Sequence, residues 1–371
     1  MDEAIPSVEQ QNAITERISP YRDDVVAELK KITFASFIFH LRAATELHLP
    51  PYKGSTLRGA FGITFKETVC IMEHRDCDRC LLRLKCAYPY IFDTPIPEDS
   101  ARMRRYERAP HPFVIEPPLE TQQLYKPNEL LSFGLTLIGK AIDYLPYFIY
   151  TFDRLGRERG IGRGRGRFAL EKVSWLDPGG GEKEIYDGQR KVLANSFHPL
   201  TIRDLSLSQN SKLSPLHSTL DTQRSDLTLN SRLLTINYLT PTRVTYNGEL
   251  HTAPEFHVII RNLLRRLSNL CYFHCGEELN LDFKGIIERA KTVEMKDGNI
   301  RWHDWERYSA RQDTRMKMGG FVGEVEYHGE LAEFLPLLKL GERIHVGKSS
   351  TFGLGMYVVG AASTNTSDEH E

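Results

Sequence analysis

One order of elements occurs twice along this chain, and it constrains the fold more than any other feature. Apolar residues alternate from Ile32 to Arg42, which predicts a strand with Ala35, Phe37, Phe39, Leu41 and Ala43 on one face. His40 and Arg42 then share the other face. Pro50-Pro51 ends that strand, and Ser55 is placed as the N-cap of a helix running to about His74. Phe113–Glu116 and Leu130–Ile138 read as strands. Ile142–Gly160 reads as a helix with Leu145, Phe148, Phe152 and Leu155 on one side, Pro146 being tolerable in its first turn. Phe168–Trp175 closes the unit as a strand. From Leu233 the order recurs: a strand to Leu239, then a helix over Glu255–Phe273 with Phe256, Ile260, Leu263, Leu267 and Leu270 facing a core. Strands at Thr292–Arg301 and Phe321–Tyr327, a short helix at Leu331–Leu340 and a strand at Met356–Val359 complete it.

The order β-α-β-β-α-β, taken twice, is an α+β chain of tandem ferredoxin-like domains. The expected domains are 29–175 and 231–360. Residues 176–230 fit neither copy; Gly179-Gly180-Gly181 and a Ser/Thr/Leu/Asp-rich run mark an insertion or linker hairpin. The polar ends, 1–28 and 361–371, are expected to be disordered. With 371 residues, each domain can bury a core of its own. No run approaches the ~18 apolar residues of a membrane span. The start, Met1-Asp2-Glu3-Ala4, is not a signal peptide, so the expected location is cytoplasmic.

A net charge of −1 gives no general pull toward nucleic acid, so any such binding must come from local patches. One lies between Arg154 and Arg167, where six arginines are accompanied by a single acid, Glu158. Its centre, Gly160-Ile161-Gly162-Arg163-Gly164-Arg165-Gly166-Arg167, alternates flexible backbone with permanent charge. Guanidinium forks bind phosphate bidentately and stack on bases, which suits a single RNA strand; the alternative is a solvated loop. A second candidate is Leu340–Tyr357, with glycines at 341, 347, 353 and 355 between strands and Lys348 inside the turn. Backbone N–H groups in such a loop can converge on an anion and the lysine adds a mobile cation. A hairpin that merely needs glycine at its turns is the alternative.

Four of the six cysteines fall within residues 70–86: Cys70, Cys77, Cys80 and Cys86. The Cys77-x2-Cys80 spacing lets two thiolates reach one ion, and Cys70 and Cys86 could complete a tetrahedral set. In a reducing compartment metal is a better reading than disulfides. Structural zinc is the first choice, an iron–sulfur cluster the alternative, and four unrelated thiols the reading without a ligand. Such an ion would pin the loop between the first helix and Tyr88–Phe92. His74 lies inside the cluster.

Trp305–Gln312, Met316–Val325 and the glycine loop together resemble the C-terminal domain of CRISPR repeat-RNA-processing endoribonucleases, members of the RAMP superfamily of tandem ferredoxin-like proteins. Leu49–Gly62 resembles the entry to that family's first helix, and Gly160–Arg167 resembles part of its N-terminal domain. The resemblance implies an antiviral-defence nuclease that binds precursor CRISPR RNA and cuts once in each repeat, releasing guide RNAs. It implies a cut without metal, in which a ribose 2′-OH attacks its own phosphate and leaves a 2′,3′-cyclic phosphate and a 5′-OH. Repeat RNA and crRNA would be its partners, with other CRISPR-associated proteins besides. The oligomeric state stays open.

That chemistry needs a base, an acid and a cation on the phosphorane. The family usually draws a histidine from near the first helix, which makes His40, His48 and His74 the candidates. Lys53 and Arg58 are the candidate cations beside the scissile phosphate. RNA contacts are expected from Arg58, Arg163, Arg165, Arg167, Arg307, Arg311, Gly347, Lys348, Ser349, Gly353 and Gly355. The chain lacks the family's tyrosine and histidine in their usual places on the first helix; Gly62 stands where a tyrosine is expected. A non-catalytic RAMP subunit that holds guide RNA is therefore the competing reading. A zinc-ribbon DNA-binding protein is a weaker third, prompted by Cys77 and Cys80.

Overall fold

The computed structural model describes residues 23–72, 76–104, 106–205, 232–309 and 314–360. A short helix α1 (Asp23–Leu29) leads into β1 (Phe34–Ala43), the two-residue β2 (Leu47–His48) and helix α2 (Gly54–Val69). β3 (Phe113–Glu116), β4 (Leu124–Tyr125) and β5 (Leu130–Ile138) follow, then α3 (Leu145–Arg154), β6 (Phe168–Leu176), β7 (Glu182–Asp187) and β8 (Val192–Leu193). The second half holds β9 (Leu233–Thr242), β10 (Val244–Tyr246), β11 (Glu249–His251), α4 (Phe256–Leu270) and α5 (Phe283–Ala290). It continues with β12 (Glu294–Gly298), β13 (Arg301–His303), β14 (Glu306–Ser309), β15 (Thr314–Lys317), β16 (Gly320–His328), α6 (Leu335–Ile344) and β17 (Tyr357–Gly360).

Two antiparallel sheets carry the architecture. The first runs β3-β5-β1-β6-β7-β8 and the second β12-β16-β9-β17, with β13 also pairing β16. In each, the first and third strands of a β-α-β-β-α-β unit lie at the centre with the second and fourth outside them, so both halves are ferredoxin-like. Phe37, Phe39 and Leu41 alternate along β1 and are wholly buried. Phe39 meets Phe152 of α3 at 5.3 Å, and Phe61 of α2 stacks on Phe148 at 4.6 Å and Phe152 at 5.0 Å. Burying a ring of this size contributes about 2–3 kcal/mol, so these contacts hold α2 and α3 on one face of the sheet. In the second half, Phe256, Ile260, Leu263 and Leu267 of α4 are buried, and Phe256 meets Tyr327 at 5.0 Å and Phe334 at 5.1 Å.

The structure departs from the sequence expectations at several places. Helix α2 starts at Gly54 with Lys53 at the N-cap position, so Ser55 lies inside the first turn. It ends at Val69 with Cys70 as C-cap, short of His74, which lies outside the described residues. Part of 176–230 extends the first sheet: β7 pairs β6, β8 pairs β7, and Leu200 exchanges backbone hydrogen bonds with Phe34 at 2.7 and 2.9 Å. The glycine loop is entered from helix α6, which runs to Ile344, not from a strand. α6 continues that far because Leu337, Leu338, Leu340 and Ile344 keep one helical face buried.

A candidate RNA-binding site beside the first helix

The arginine run folds into a tight hairpin clamped on the chain just before α2. Ile161 and Gly166 exchange two backbone hydrogen bonds of 2.9 and 3.0 Å. The hairpin lies along residues 44–48: Arg163 N–H donates to the His48 carbonyl at 2.9 Å and Arg167 N–H to the Thr45 hydroxyl at 2.8 Å. The glycine–arginine alternation has a steric cause. A Cβ on Gly162 would stand 2.2 Å from the His48 carbonyl oxygen, and one on Gly166 2.2 Å from that of Glu46. Glycines therefore meet the neighbouring backbone, while Arg163 and Arg165 at the tip are exposed.

The six arginines are not equivalent. Arg154 donates to Glu158 at 2.7 Å, which raises its already high pKa, and Arg157 pairs with Asp153 at 2.9 Å. Arg159 makes two hydrogen bonds to Glu67 on α2, at 2.9 and 3.1 Å. Arg167 donates to the Arg157 carbonyl. Among the described residues, Arg163 and Arg165 have no acidic partner. Arg165 and Arg167 also border a cleft of about 460 Å³ whose other walls are Thr64, Glu67, Arg154, Glu158, Arg159 and Gly164. A cleft of that size with unneutralised guanidinium at its lip can hold a phosphate of a single strand.

His48 belongs to the same patch. Its side chain is 52% exposed, and Nε2 lies 3.3 Å from an oxygen of Glu46, two residues earlier on the same side of the chain. A carboxylate only accepts, so Nε2 donates; a neutral ring then carries its lone pair on Nδ1, free to take a proton. Glu46 is a neighbour that sequence reasoning missed, although the Glu-x-His spacing on an extended segment would have signalled it.

The other candidates fare differently. His40 is buried on the outer face of β1, with Nδ1 2.9 Å from Ser132 and Nε2 3.3 Å from Glu182; burial lowers its pKa despite the Glu182 charge. Both ring nitrogens are engaged within the first sheet, away from the hairpin. Lys53 is fully buried: Nζ donates to the Glu120 carbonyl at 2.7 Å and the Pro51 carbonyl at 3.3 Å, and burial lowers its pKa. It fastens the entry to α2 and is no surface cation. Arg58 donates to the Thr351 hydroxyl at 3.1 Å, and its guanidinium lies 4.4 Å from the Phe352 ring and 5.1 Å from the Phe92 ring. That sandwich joins the two domains.

The glycine loop is mostly interior. Gly347 is half-buried and Lys348 exposed, with Ser349 partly so, but Ser350 to Met356 are buried. Gly353 (φ +83°) is pressed against Pro117 and the Ile115 carbonyl; Gly355 (φ +73°) would place a Cβ 1.8 Å from the Val346 carbonyl oxygen. Close backbone approach explains both glycines. Tyr52 donates to the Phe352 carbonyl at 2.7 Å, which seats the turn on the start of α2. Only the Gly347–Ser349 corner offers itself to a ligand. Arg307 lies on β14, opposite Met316 of β15, and Arg311 is outside the described residues. Cys70, Cys77, Cys80 and Cys86 are half-buried free thiols around one small cavity beyond the end of α2.

Comparison with known proteins places this geometry. The family model "CRISPR-associated endoribonuclease Cas6" matches residues 236–357, and a second model, AF_1859_N, described as an N-terminal domain, matches residues 32–197. The match to the Cas6 model lies in the second half of the chain, and the match to the N-terminal-domain model lies in the first. An uncharacterized protein of Archaeoglobus fulgidus is 25% identical over 317 residues, covering 84% of this chain and 93% of the relative. Among solved structures, the Cas6 (TTHB231) product complex superposes with a TM-score of 0.51 at 15% identity, over 88% of this chain and 99% of that one. A partial Cas6-RT-Cas1–Cas2 complex gives 0.53 at 11% identity, over 90% of this chain but 47% of that one. At these identities the superpositions show a shared fold. No helix of the described residues is long and apolar enough to cross a membrane.

Proposed function

We propose that this chain binds CRISPR repeat RNA along the arginine hairpin and cuts it next to His48, releasing guide RNAs. The observation that carries the reading is the contact between Arg163 and His48. It fixes the backbone of an exposed histidine, whose ring meets Glu46, to the arginine hairpin, where among the described residues Arg163 and Arg165 pair with no acid. In the proposed step Nδ1 of His48 takes the proton of a ribose 2′-OH as its oxygen attacks the adjacent phosphorus. The bond to the 5′ oxygen breaks, leaving a 2′,3′-cyclic phosphate and, once that oxygen is protonated by solvent, a 5′-OH. Arg163 or Arg165 offsets the charge gathering on the phosphorane, and no metal takes part. The test is incubation of labelled repeat RNA with purified protein in EDTA. Single-site cleavage that disappears in His48→Ala while RNA binding persists is expected. Undiminished cleavage by His48→Ala would remove His48 from the step, and cleavage that needs a divalent ion would remove the metal-free route.

One observation favours the competing reading of a non-catalytic RNA-binding subunit. Lys53 and His40, two of the residues with suitable chemistry near α2, are committed to internal hydrogen bonds. Tight binding of repeat RNA by the unaltered chain without a cut would select it.

A further inference from the structure

The segment after α2 is folded inside out. Between residues 76 and 86 the chain makes only turns, closed by short-range bonds such as Arg83 N–H to the Cys80 carbonyl at 3.0 Å and Cys86 N–H to the Leu82 carbonyl at 2.8 Å. Three of the segment's large apolar side chains are exposed, Ile71 at 82%, Leu81 at 84% and Leu84 at 70%, although Ile71, with Met72 and Leu82, also borders the cavity that the thiols line. Its four thiols point inward. Cys70, Cys77, Cys80 and Cys86 all line a single cavity of about 30 Å³, closed by Lys66, Val69, Leu82, Tyr88 and Pro89. A loop held by the hydrophobic effect would do the reverse, burying leucine and isoleucine and leaving thiols wherever they fell. The cavity has roughly the volume of one water molecule or one ion.

From this we infer that the four cysteines form a structural zinc site. Cys77 and Cys80 share one turn, with Cys80 N–H directed at the Cys77 carbonyl at 3.4 Å. Cys70 stands at the C-cap of α2, and Cys86 opens the turn that carries Tyr88 onto Phe92 and Phe65. The ligands therefore come from three separate points of the segment. Among the described residues no three Cys, His, Asp or Glu side chains already stand around one point. The thiols ring a cavity that closes on the ion, as sites coupled to folding do. Binding converts four thiols to thiolates and releases four protons, with sulfur at about 2.3 Å from zinc in a tetrahedron. Lys66, whose Nζ lies 5.2 Å from the centre of the Tyr88 ring, supplies a cation at the wall for the resulting double negative charge. This inference is independent of the nuclease reading.

The test uses the full chain, purified in a thiol-free reductant and loaded with zinc or cobalt(II). Elemental analysis is expected to give one zinc per chain. The cobalt form is expected to show sulfur-to-metal charge-transfer bands and the visible bands of a tetrahedral thiolate centre. Cys77→Ser and Cys86→Ser should each lose that spectrum, and chelation should expose 71–87 to protease while the second domain stays resistant. Less than a tenth of an equivalent of zinc, or a cobalt spectrum unchanged by either substitution, would overturn the site. Iron with labile sulfide in anaerobically purified protein would overturn zinc as its occupant. Should a variant fail to fold, the metal content and cobalt titration of the unaltered chain still decide the matter.

Discussion

Replacing Arg163 and Arg165 together by alanine gives the sharpest check on the proposed RNA site. Both are exposed at the hairpin tip and pair with no acid among the described residues, so each can neutralise a phosphate and displace a condensed counterion. For single strands each such contact contributes about 0.7 to the slope of log K against log salt, so the double variant should flatten that slope by about 1.4. At 0.1 M salt this is a loss of about 25-fold in affinity, shrinking toward none near 1 M. Removing Arg190 together with Asp187, an ion pair elsewhere on the first sheet, is the matched control. The carboxylate, 3.6 Å away, already neutralises that arginine, so net charge and slope should stay as they were. Filter binding of a repeat RNA across a salt series measures both. A slope unchanged in the tip variant, or an equal flattening in the paired control, refutes the claim that the two partnerless arginines carry the electrostatic binding.

Other expectations follow from the same contacts. Gly355→Ala adds a Cβ 1.8 Å from the Val346 carbonyl at φ +73°, so urea unfolding should show a loss of about 2–4 kcal/mol; an unaltered midpoint would contradict the packing. Lys53→Met removes the hydrogen bonds to the Glu120 and Pro51 carbonyls and should cost about 0.5–1.5 kcal/mol, while cleavage per folded molecule stays unchanged. Glu116, 3.8 Å from His345 across the domain contact, has its carboxyl pushed up by burial to about 7, against the opposing pull of Arg343 and of the Thr136 hydrogen bond. A raised carboxylate favours the fold while protonated, so stability should decline as pH rises from about 4.5 to 7. Glu116→Gln should flatten that decline, and an identical pH profile in the variant would dismiss Glu116 as its source.

Much of the fold was legible because its signals are local. The alternation through Phe37, Phe39 and Leu41 and the helical spacing of Phe256, Ile260, Leu263 and Leu267 state which face is buried, and the structure buries those faces. Boundaries were less legible. Ser55 is a good capping residue by type, yet Lys53 takes the N-cap position because its ammonium is drawn inward to the Glu120 carbonyl, 67 residues away. A hairpin is expected within 176–230, but its pairing with the first sheet was not legible because β7 carries little apolar alternation: Glu182, Lys183 and Glu184 are all exposed. The glycines of 347–355 announced a sharply turning backbone correctly, but the same pattern serves an exposed anion cradle and a buried interdomain turn equally well.

The amino-acid order by itself determined that two ferredoxin-like units follow one another, because strand and helix periods are properties of neighbouring residues. It also determined that an arginine-rich turn lies beside the entry to the first long helix. Which arginines remain available was settled only in three dimensions. Glu67 reaches Arg159 across 92 residues of sequence, whereas among the described residues no acid pairs with Arg163 or Arg165. Charge neutralisation depends on distances through space, and no spacing along the chain encodes them.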